Sequence, residues 1–452
     1  MMREPPFSLL NRPRPVALQG RRVLVLGLGD TGLSVARWMQ HEGGTVRVAD
    51  TRAAPPRKDD YAGELRTGAF QASLLEGMDL VCVSPGLALA DPLIHEALRR
   101  GVPVLGDVEL FAWRNKSKVL AVTGTNGKST VTALTGHLLR SAGLDCEVAG
   151  NIGPPVLEAL LRRSAPPAAW ALELSSYQLE TTWSLEPDAA AMLNLSEDHL
   201  DRYSSLDEYG AAKARVFAGS GTQVLNRDDA RSAAMAQPGR AIVSFGLNAP
   251  PTARDFGIAG QKLVEGAEPI VEASALFIHG SHNLANALAA CALARAAGVP
   301  RDALADGLRS FRGLPHRLQH VARRRGVDWY DDSKGTNVGA TVAALAGLSR
   351  KTVLILGGDG KGQDFSPLRE PVGRLAAGVL LIGRDAPLIE SVLSHPRAER
   401  CATLEQAVRR AAELAAPGDA VLLSPACASF DMFRDYRQRG EAFAAAVRSL
   451  EP

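Results

Sequence analysis

The sequence predicts an α/β protein of three domains, each organised around a mainly parallel sheet. The chain has 452 residues, whereas the core of one domain usually takes roughly 100–200 residues. Short apolar segments alternate with longer amphipathic segments, as strands and helices do in parallel α/β sheets. Two apolar segments run directly into glycine-rich turns, GLGDTG (27–32) and TGTNGKST (123–130), and each turn leads into a helical pattern.

The composition narrows the class of protein. Hydrophobic residues make up 46% of the chain, charged residues 22%, and the formal net charge is +2. Because there is no basic block or acidic tail, we expect no nucleic-acid partner. Residues 1–15 lack the apolar core of a signal peptide, and no uncharged apolar run reaches the roughly 18–20 residues that span a bilayer. We therefore expect a cytoplasmic protein without membrane insertion.

The number and spacing of the cysteines agree with a cytoplasmic location. They are odd in number, scattered along the chain, and form no CxxC pair. This distribution disfavours a disulfide framework and a cysteine metal site, and it is typical of a reducing cytoplasm. The five positions are Cys82, Cys146, Cys291, Cys401 and Cys427.

The first domain is predicted to be Rossmann-like and to span residues 1–106. RRVLVLG (21–27) has the pattern of a short buried strand, and the chain then turns through glycines into an amphipathic helix that ends near Gly43. TVRVAD (45–50) is predicted as the next strand. DLVCVSPG (79–86) is predicted as a further strand that Pro-Gly ends.

The other two domains repeat the alternation of strand and helix. The central one is predicted over 107–313 as a P-loop-type ATPase domain with a mainly parallel sheet, and the last over 314–452 as a Rossmann-like α/β domain. The central elements are a strand at 118–124, a helix at 128–142, strands at 168–176 and 189–196, short strands or loops around 244–257, and a helix at 281–297. The last domain has apolar strands at 351–358, 378–383 and 419–427.

The turn TGTNGKST is predicted to bind the phosphates of ATP. A strand, a tight glycine turn and a helix together form an anion site, because the loop amides and the helix N-terminus point at the phosphate. Lys128 adds a charge near the β- and γ-phosphates, and the Ser129 hydroxyl is placed for Mg²⁺. Only two residues separate Gly124 from Gly127 instead of the usual four, which indicates an ATP-binding protein outside the common NTPases.

The turn GLGDTG admits another interpretation. Followed by Asp50 at the end of the next strand, it matches the fingerprint of an NAD-binding domain. A dehydrogenase is thus an alternative for residues 1–106 alone. We reject it because an ATP loop follows, in place of a second dinucleotide-binding half. The same turn can hold the pyrophosphate of a different ligand.

The phosphate loop resembles the ATP loop of the Mur ligases and of their relative folylpolyglutamate synthase. Further segments extend the resemblance to the glutamate-adding Mur ligases over almost the whole chain, in order. They are GNIG (150–153), ELSSYQLETT (173–182), NLSEDHLDRY (194–203), AAKARVF (211–217), GSHNLANALAA (280–290), GLPHR (313–317), DDSKGTNVGAT (331–341), GGDGKGQDF (357–365) and SPACASFDMF (424–433).

The resemblance implies an ATP-dependent ligase. ATP would phosphorylate the carboxylate of UDP-N-acetylmuramoyl-L-alanine, and the amine of D-glutamate would attack the acyl phosphate, releasing phosphate. The alternatives are an L-glutamate-adding variant, another Mur-type or folylpolyglutamate ligase, and, in a different class, a nucleotide-binding protein without turnover. We also expect a monomer.

The resemblance implies two Mg²⁺ ions and a CO₂-derived carbamate on Lys213. The catalytic residues it implies are Lys128, Asn151, Glu173, His199 and Lys213, and the metal ligands are Ser129, Glu173, His199 and Lys213. On the residues alone, Lys213 has the pattern of an exposed helix lysine. Mg²⁺ prefers oxygen, so Asp198 and Asp201 are as good candidates as His199.

The remaining binding residues are also implied by the resemblance. For ATP they are Gly124, Thr125, Asn126, Gly127, Lys128, Ser129, Thr130, Asn283, Asn286, Arg317, Asp332 and Lys334. For the UDP-substrate they are Asp30, Thr31, Gly32, Asp50, Thr51, Arg52, Ser84, Pro85, Gly86 and Asn151. A plain turn asparagine remains an alternative for Asn151, and a strand-ending turn for residues 84–86.

Glutamate is expected to bind loops that follow strands in the last domain, since ligands of open α/β sheets lie at the carboxyl ends of the strands. The implied residues are Thr336, Lys361, Ser429, Phe430 and Tyr436. Lys361 has a solvated loop lysine as its alternative. Tyr436 stands where the family commonly has phenylalanine, so the resemblance does not determine the detailed shape of the glutamate pocket.

Overall fold

The computed structural model describes residues 16–199, 202–278, 280–348 and 350–450. The segment of the signal-peptide prediction and Asp201 lie outside these ranges. The described residues form two compact units. The first runs to Leu195 and also contains Arg202–Val271 and Ala287–Leu308, and the second contains 196–199, most of Glu272–Asn286 and the chain from Arg309 onward.

The first unit contains a five-stranded parallel sheet in the order β3-β2-β1-β4-β5. Its strands are β1 (Arg22–Leu26), β2 (Thr45–Asp50), β3 (Glu64–Thr67), β4 (Leu80–Val83) and β5 (Val104–Leu105), with helices α1 (Asp30–His41) and α2 (Pro92–Arg99). Val23 and Val25 pack into one apolar cluster and Leu24 and Leu26 into another. Strand β1 is therefore buried on both faces, which explains its continuous apolar sequence.

A nine-stranded sheet follows in the order β14-β13-β12-β11-β10-β9-β6-β8-β7. Its strands are β6 (Lys118–Thr123), β7 (Cys146–Gly150), β8 (Ala169–Glu173), β9 (Ala189–Met192), β10 (Thr222–Asn226), β11 (Ile242–Phe245), β12 (Phe256–Ala259), β13 (Lys262–Glu265) and β14 (Glu268–Glu272). The pairings from β7 to β12 are parallel, and β12 pairs with β13 antiparallel. The carboxyl ends of β6, β8 and β9 consequently meet at one edge.

Helices alternate with these strands along the chain. They are α3 (Asp107–Ala112), α4 (Lys128–Ser141), α5 (Val156–Arg162), α6 (Ser176–Glu180), α7 (Leu206–Ala214), α8 (Ala230–Ala233), α9 (Ser281–Ala296) and α10 (Arg301–Ser310). Helix α6 begins with a capping box, in which the Ser175 side chain accepts from the Gln178 amide and the Gln178 side chain accepts from the Ser175 amide. This box sets the direction of the chain directly after β8.

The second unit contains a six-stranded sheet in the order β15-β16-β20-β17-β18-β19, parallel except for the β15–β16 hairpin. Its strands are β15 (Gln319–Arg324), β16 (Val327–Asp331), β17 (Thr352–Gly357), β18 (Ala376–Ile382), β19 (Ala398–Arg400) and β20 (Ala420–Leu423). Its helices are α11 (Val338–Leu348), α12 (Arg369–Leu375), α13 (Ala386–Leu393), α14 (Leu404–Leu414) and α15 (Tyr436–Arg448). Strand β17 is buried along its whole length.

The structure confirms the predicted α/β class with mainly parallel sheets. The strands of each sheet come from a different predicted domain, while the boundaries at 106 and 313 stay a prediction. Between 244 and 257 the chain leaves β11 at Phe245 and enters β12 only at Phe256, which explains the weak periodicity there. All five cysteines are buried and reduced. Among the described residues, no helix is long and apolar enough to span a bilayer.

Candidate active site

The phosphate loop lies between β6 and α4. Gly124 and Gly127 have backbone φ angles of +149° and +84°, which side-chain-bearing residues rarely adopt. A Cβ atom on Gly124 would lie 3.0 Å from the Cβ atom of Leu193, so the loop passes too close to β9 for a larger residue. Gly127 is the N-cap of α4 and contributes no side chain to the first helical turn. This geometry suits an anion at the N-terminus of α4.

Asn194, which follows the neighbouring strand β9, holds the phosphate loop in place. Its carbonyl oxygen accepts from the Thr125 amide at 2.9 Å, and its Oδ1 accepts from the Asn126 amide at 2.8 Å. Its Nδ2 donates to the carbonyl of Asn126 at 3.1 Å. Asn194 is not among the site residues expected from the sequence. The available signal was its position after β9, because parallel strands end at the same edge.

Two lysines lie against the same loop. Lys128 Nζ donates to the carbonyl oxygens of Gly124 and Thr125 at 2.9 and 2.7 Å. Lys213 Nζ donates to the carbonyl of Gly124 at 2.8 Å and lies 4.5 Å from the ring centre of Tyr209. Lys213 is only 1% exposed, so the pattern of a solvent-exposed helix lysine was misleading. Both ammonium groups therefore lie where phosphate charge is predicted.

Glu173 ends β8 and is buried at 2% exposure. Its Oε1 accepts from Asn151 Nδ2 at 2.6 Å, and its backbone carbonyl accepts from the Asn151 amide at 2.8 Å. Its Oε2 is buried without a hydrogen-bond partner among the described residues. A buried carboxylate oxygen with unused lone pairs is unfavourable alone, and a cation would satisfy it.

These donors fit Mg²⁺, which prefers hard oxygen ligands and usually takes one or two carboxylates together with water and phosphate. Glu173 supplies a carboxylate, and Ser129 supplies a hydroxyl in the first turn of α4. No group of three or more His, Cys, Asp or Glu side chains capable of holding a metal occurs within the described ranges.

The two turns predicted to bind the UDP-substrate contact each other. Ser84 Oγ donates to the carbonyl of Gly27 at 3.0 Å. A Cβ atom on Gly32 would lie 1.8 Å from that same carbonyl oxygen, so α1 approaches β1 through this glycine. Asp30, by contrast, is exposed and paired with Arg57 at 2.6 Å. Thr31 accepts from Ser34 Oγ through its carbonyl at 3.0 Å.

Asp50 is fully engaged within the protein. It accepts from the Leu28 amide at 2.7 Å and from the Arg52 guanidinium at 2.9 and 2.7 Å. Burial raises the pKa of Asp50, but these hydrogen bonds outweigh burial and lower the pKa to about 2. An NAD-binding domain would use this carboxylate for a ribose hydroxyl. Here it orients Arg52, which follows the exposed Thr51.

In the second unit, Asp332 follows β16 and is buried. Its Oδ2 accepts from Ser424 Oγ at 2.7 Å, and its Oδ1 from the Leu318 amide at 3.2 Å. Burial raises the pKa of Asp332 to about 7, although the hydrogen bond from Ser424 and the positive charge of Arg317 oppose this shift. Asp332 is thus close to its titration point at neutral pH.

Arg439 donates hydrogen bonds to the loops after β16 and after β20, and it is not among the site residues expected from the sequence. It is 1% exposed and donates from Nη2 to the carbonyls of Ser333 and Cys427 at 2.8 and 3.1 Å. Ser333 Oγ donates to the carbonyl of Tyr436 at 2.7 Å.

Lys334 Nζ lies 3.9 Å from the ring centre of Tyr436. The lysine expected to bind ATP and the tyrosine expected to bind glutamate are therefore in contact.

The second unit also contains a cavity of about 370 Å³ that brings His199 and Lys361 together. Lys361 Nζ lies 4.0 Å from Asp198 Oδ1, and His199 Nε2 lies 3.7 Å from Asp198 Oδ2. Both His199 and Lys361 have positive φ angles, +56° and +52°. The remaining lining side chains include the apolar Val338 and Val342. The lining also includes the carboxylates of Glu197, Asp198 and Asp364, so Lys361 is the positively charged group that a small ligand with carboxylates would meet there.

The other predicted residues of this unit occupy different environments. Asn286 Nδ2 donates to Asn283 Oδ1 at 3.1 Å, as their spacing of one helical turn allows. Ser429 is buried, and its neighbour Phe430 is 74% exposed. Thr336 donates its amide to the carbonyl of Lys334 at 2.9 Å.

Comparison with known proteins agrees with this architecture. Residues 21–106 match the MurD-like N-terminal domain of Mur ligases, residues 122–294 the Mur ligase middle domain, and residues 316–427 the Mur ligase glutamate ligase domain. Among solved structures, the UDP-N-acetylmuramate–alanine ligase MurC of Thermotoga maritima has a TM-score of 0.63 at 19% identity, over 95% of this chain and 99% of its own. At that identity the likeness concerns the fold alone.

Curated relatives are much more similar. The UDP-N-acetylmuramoylalanine–D-glutamate ligase of Thiobacillus denitrificans is 54% identical, over 96% of this chain and 97% of its own length. The protein of the same name from Nitrosospira multiformis is 53% identical, over 96% of each chain. Because three domain matches and relatives above half identity cover nearly its full length, this chain belongs to the Mur ligase family.

Proposed function

We propose that this protein joins D-glutamate to UDP-N-acetylmuramoyl-L-alanine at the expense of ATP, in the synthesis of peptidoglycan precursors. The observation that carries the proposal is the 50–54% identity, over 96% of the chain, to relatives named for this reaction. The substrate carboxylate attacks the γ-phosphorus and ADP leaves. The glutamate amine then attacks the acyl carbon, loses a proton and expels phosphate.

Charge explains why the site collects cations. A carboxylate has to approach a highly anionic nucleotide, so their repulsion must be neutralised during phosphoryl transfer. Lys128 and Lys213 lie at the phosphate loop, within hydrogen-bonding distance of Gly124. Asn151, which contacts Glu173, is proposed to orient the transferred phosphoryl group and the UDP-substrate.

We propose two Mg²⁺ ions, one held by Ser129 and one by Glu173, His199 and Lys213. Bound Mg²⁺ neutralises phosphate oxygens and acts as a Lewis acid. The unsatisfied Oε2 of Glu173 supports a cation at that carboxylate.

Lys213 is proposed to carry a carbamate. A neutral lysine amine adds CO₂ and releases a proton, which turns a cation into an anion with two oxygen donors. The burial of Lys213 supports this proposal, because burial favours the neutral amine that the addition needs. The carbonyl of Gly124 and the Tyr209 ring are the groups that hold its ammonium form.

We assign the two turns at 27–32 and 84–86, with Asp50 to Arg52, to the UDP-substrate. Glutamate is assigned to Thr336, Lys361, Ser429, Phe430 and Tyr436, of which Lys361 lines the cavity with His199. The nucleotide is assigned to the phosphate loop with Asn283, Asn286, Arg317, Asp332 and Lys334. A cytoplasmic monomer remains our expectation.

A phosphate-release assay tests the function. Purified protein should release phosphate only when ATP, Mg²⁺, UDP-N-acetylmuramoyl-L-alanine and D-glutamate are all present. Equal release without either acceptor would refute the proposal. Replacing D-glutamate by L-glutamate, diaminopimelate or lysine separates it from the other ligases of the family, and incorporation of any of these at the D-glutamate rate would decide against it.

A further inference from the structure

Arg202 holds the turn that follows β4 from another part of the first unit. Its Nη1 donates to the carbonyl oxygens of Pro85 and Leu87 at 3.2 and 2.9 Å. Its Nη2 is paired with the Glu180 carboxylate, and its guanidinium carbon lies 4.2 Å from the ring centre of Tyr177. The side chains of Arg202 and Glu180 are 12% and 3% exposed. Because the pair is buried, these charge-assisted hydrogen bonds hold the turn after β4 firmly in one position.

These two hydrogen bonds also fix the direction of two amides. Across a trans peptide the C=O and the next N–H point in opposite directions. Since the carbonyls of Pro85 and Leu87 point at Arg202, the amides of Gly86 and Ala88 point away from it. Neither amide donates to a backbone carbonyl among the described residues. A Cβ atom on Gly86 would have no atom within 4 Å, so a ligand can approach closely there.

The same turn is coupled to the glycine turn after β1. Ser84 Oγ donates to the carbonyl of Gly27, and a Cβ atom on Gly32 would lie 3.0 Å from that Ser84 hydroxyl. A displacement of the turn at 84–87 would therefore displace the anion-binding turn at 27–32. On its other side, Glu180 is the last residue of α6, which follows β8 and Glu173 closely.

We propose that Arg202, supported by Glu180 and Tyr177, is a positioning residue for the UDP-substrate. It directs the amides of Gly86 and Ala88 towards a phosphate or sugar oxygen. It also fixes the position of the turn at 84–87 relative to the turn at 27–32. The inference rests on the proposed function for the identity of that substrate. Arg202 acts through the turn, so it is not assigned a contact with the reacting atoms.

The test uses Arg202→Lys in the full chain. Lysine keeps a positive charge beside Glu180, but an ammonium group does not reproduce the planar fork that serves two carbonyls and a carboxylate together. We expect KM for UDP-N-acetylmuramoyl-L-alanine, and its Kd measured calorimetrically without ATP, to rise about tenfold. The KM for ATP should stay close to that of the wild type, although the loss of buried hydrogen bonds lowers the melting temperature.

Arg215→Lys is the matched control. Arg215 is another largely buried arginine at the same helix end, and it donates to the carbonyls of Leu179 and Thr182 at 2.7 and 2.6 Å. Its substitution weakens the contacts with the carbonyls of Leu179 and Thr182, while Arg202 keeps its contacts with Glu180, Tyr177 and the turn. We expect the Kd for the UDP-substrate to stay near the wild-type value in this variant.

The outcomes separate the inference from the function. An Arg202→Lys protein with wild-type KM and Kd overturns the inference, as does an equal loss of affinity for ATP, which marks a general folding role. A wild-type protein that binds the UDP-substrate without ligating glutamate overturns the proposed function, while the Kd comparison still decides on Arg202. A wild-type protein that does not bind the UDP-substrate overturns both.

Discussion

Lys213 is the residue whose environment says most about the site. Its side chain is buried beneath the phosphate loop, where it contacts Gly124 and Tyr209. If it carries a carbamate, Lys213→Ala removes an anionic ligand and leaves a space that a small carboxylate can enter. We predict that Lys213→Ala lowers kcat by at least about a hundredfold and that added formate or acetate partly restores it.

Chloride at equal ionic strength is the control for that rescue, since it screens charge without replacing a carboxylate. Activity restored equally by chloride, or unchanged in Lys213→Ala, would remove the carbamate from the proposal. Intact mass measured in bicarbonate provides a second readout, because a carbamate adds the mass of CO₂.

Asp332 makes stability depend on pH. Its pKa in the folded protein is about 7, above the ordinary aspartate value of 3.8. A raised pKa means that the group favours folding below about pH 4 and that this contribution is lost as the pH rises through 7. Between pH 4 and 8 the melting temperature of ligand-free Asp332→Asn should therefore fall less than that of the wild type.

Asp107, whose pKa burial raises to about 6, titrates over a similar range in both proteins. Its effect cancels in the difference between the two melting curves. Parallel curves for the wild type and Asp332→Asn would show that Asp332 titrates at its ordinary pKa.

At the scale of elements, the phosphate loop depends on the end of a neighbouring strand. Asn194 makes three hydrogen bonds to Thr125 and Asn126, two of them through its side chain. Asn194→Ala removes those two, so we predict an increase of about tenfold or more in KM for ATP and a lower melting temperature.

Asn115→Ala serves as the control for this prediction. Asn115 also bonds the backbone through its side chain, but only in the local turn with Ser117. Its substitution should leave KM for ATP unchanged. A normal KM in Asn194→Ala would mean that the loop is held by its glycines and lysines alone.

The elements themselves were largely predictable, because hydrophobic periodicity is a local property. Strand β2 covers Thr45–Asp50 as predicted, and α4 covers Lys128–Ser141 against a predicted 128–142. The phosphate loop was predictable because its glycines, lysine and serine are adjacent in sequence. Asn194, Arg202 and Arg439 were not, since each acts on backbone distant in sequence, and only strand order and helix packing reveal which backbone that is.

At the scale of the whole molecule, the predicted class follows from three sheets that are parallel over most of their strands. Predicting the burial of Lys213 required knowing that α7 packs against the phosphate loop, a contact across nearly ninety residues of chain. The resemblance to a family suggested roles for such residues, but the local sequence pattern gave no physical reason for those roles.

The three predicted domains are proposed to bind the UDP-substrate, the nucleotide and the amino acid respectively, and domains that share one reaction should close around their ligands. We predict that the radius of gyration measured by small-angle X-ray scattering decreases when a non-hydrolysable ATP analogue and UDP-N-acetylmuramoyl-L-alanine are added together. Either ligand alone is the comparison. An unchanged radius with both bound would argue against closure.

The five buried cysteines have a practical consequence. Burial raises the pKa of Cys146 to about 11 and that of Cys427 to about 12, so these thiols are almost entirely unreactive in the native protein. A thiol-alkylating reagent therefore reacts with these cysteines only when the surrounding structure opens transiently. Cys82 and Cys146 lie in strands of the first and second sheets, while Cys401 and Cys427 follow strands of the third. Labelling rates measured peptide by peptide would therefore report local opening near each sheet separately, without any engineered reporter.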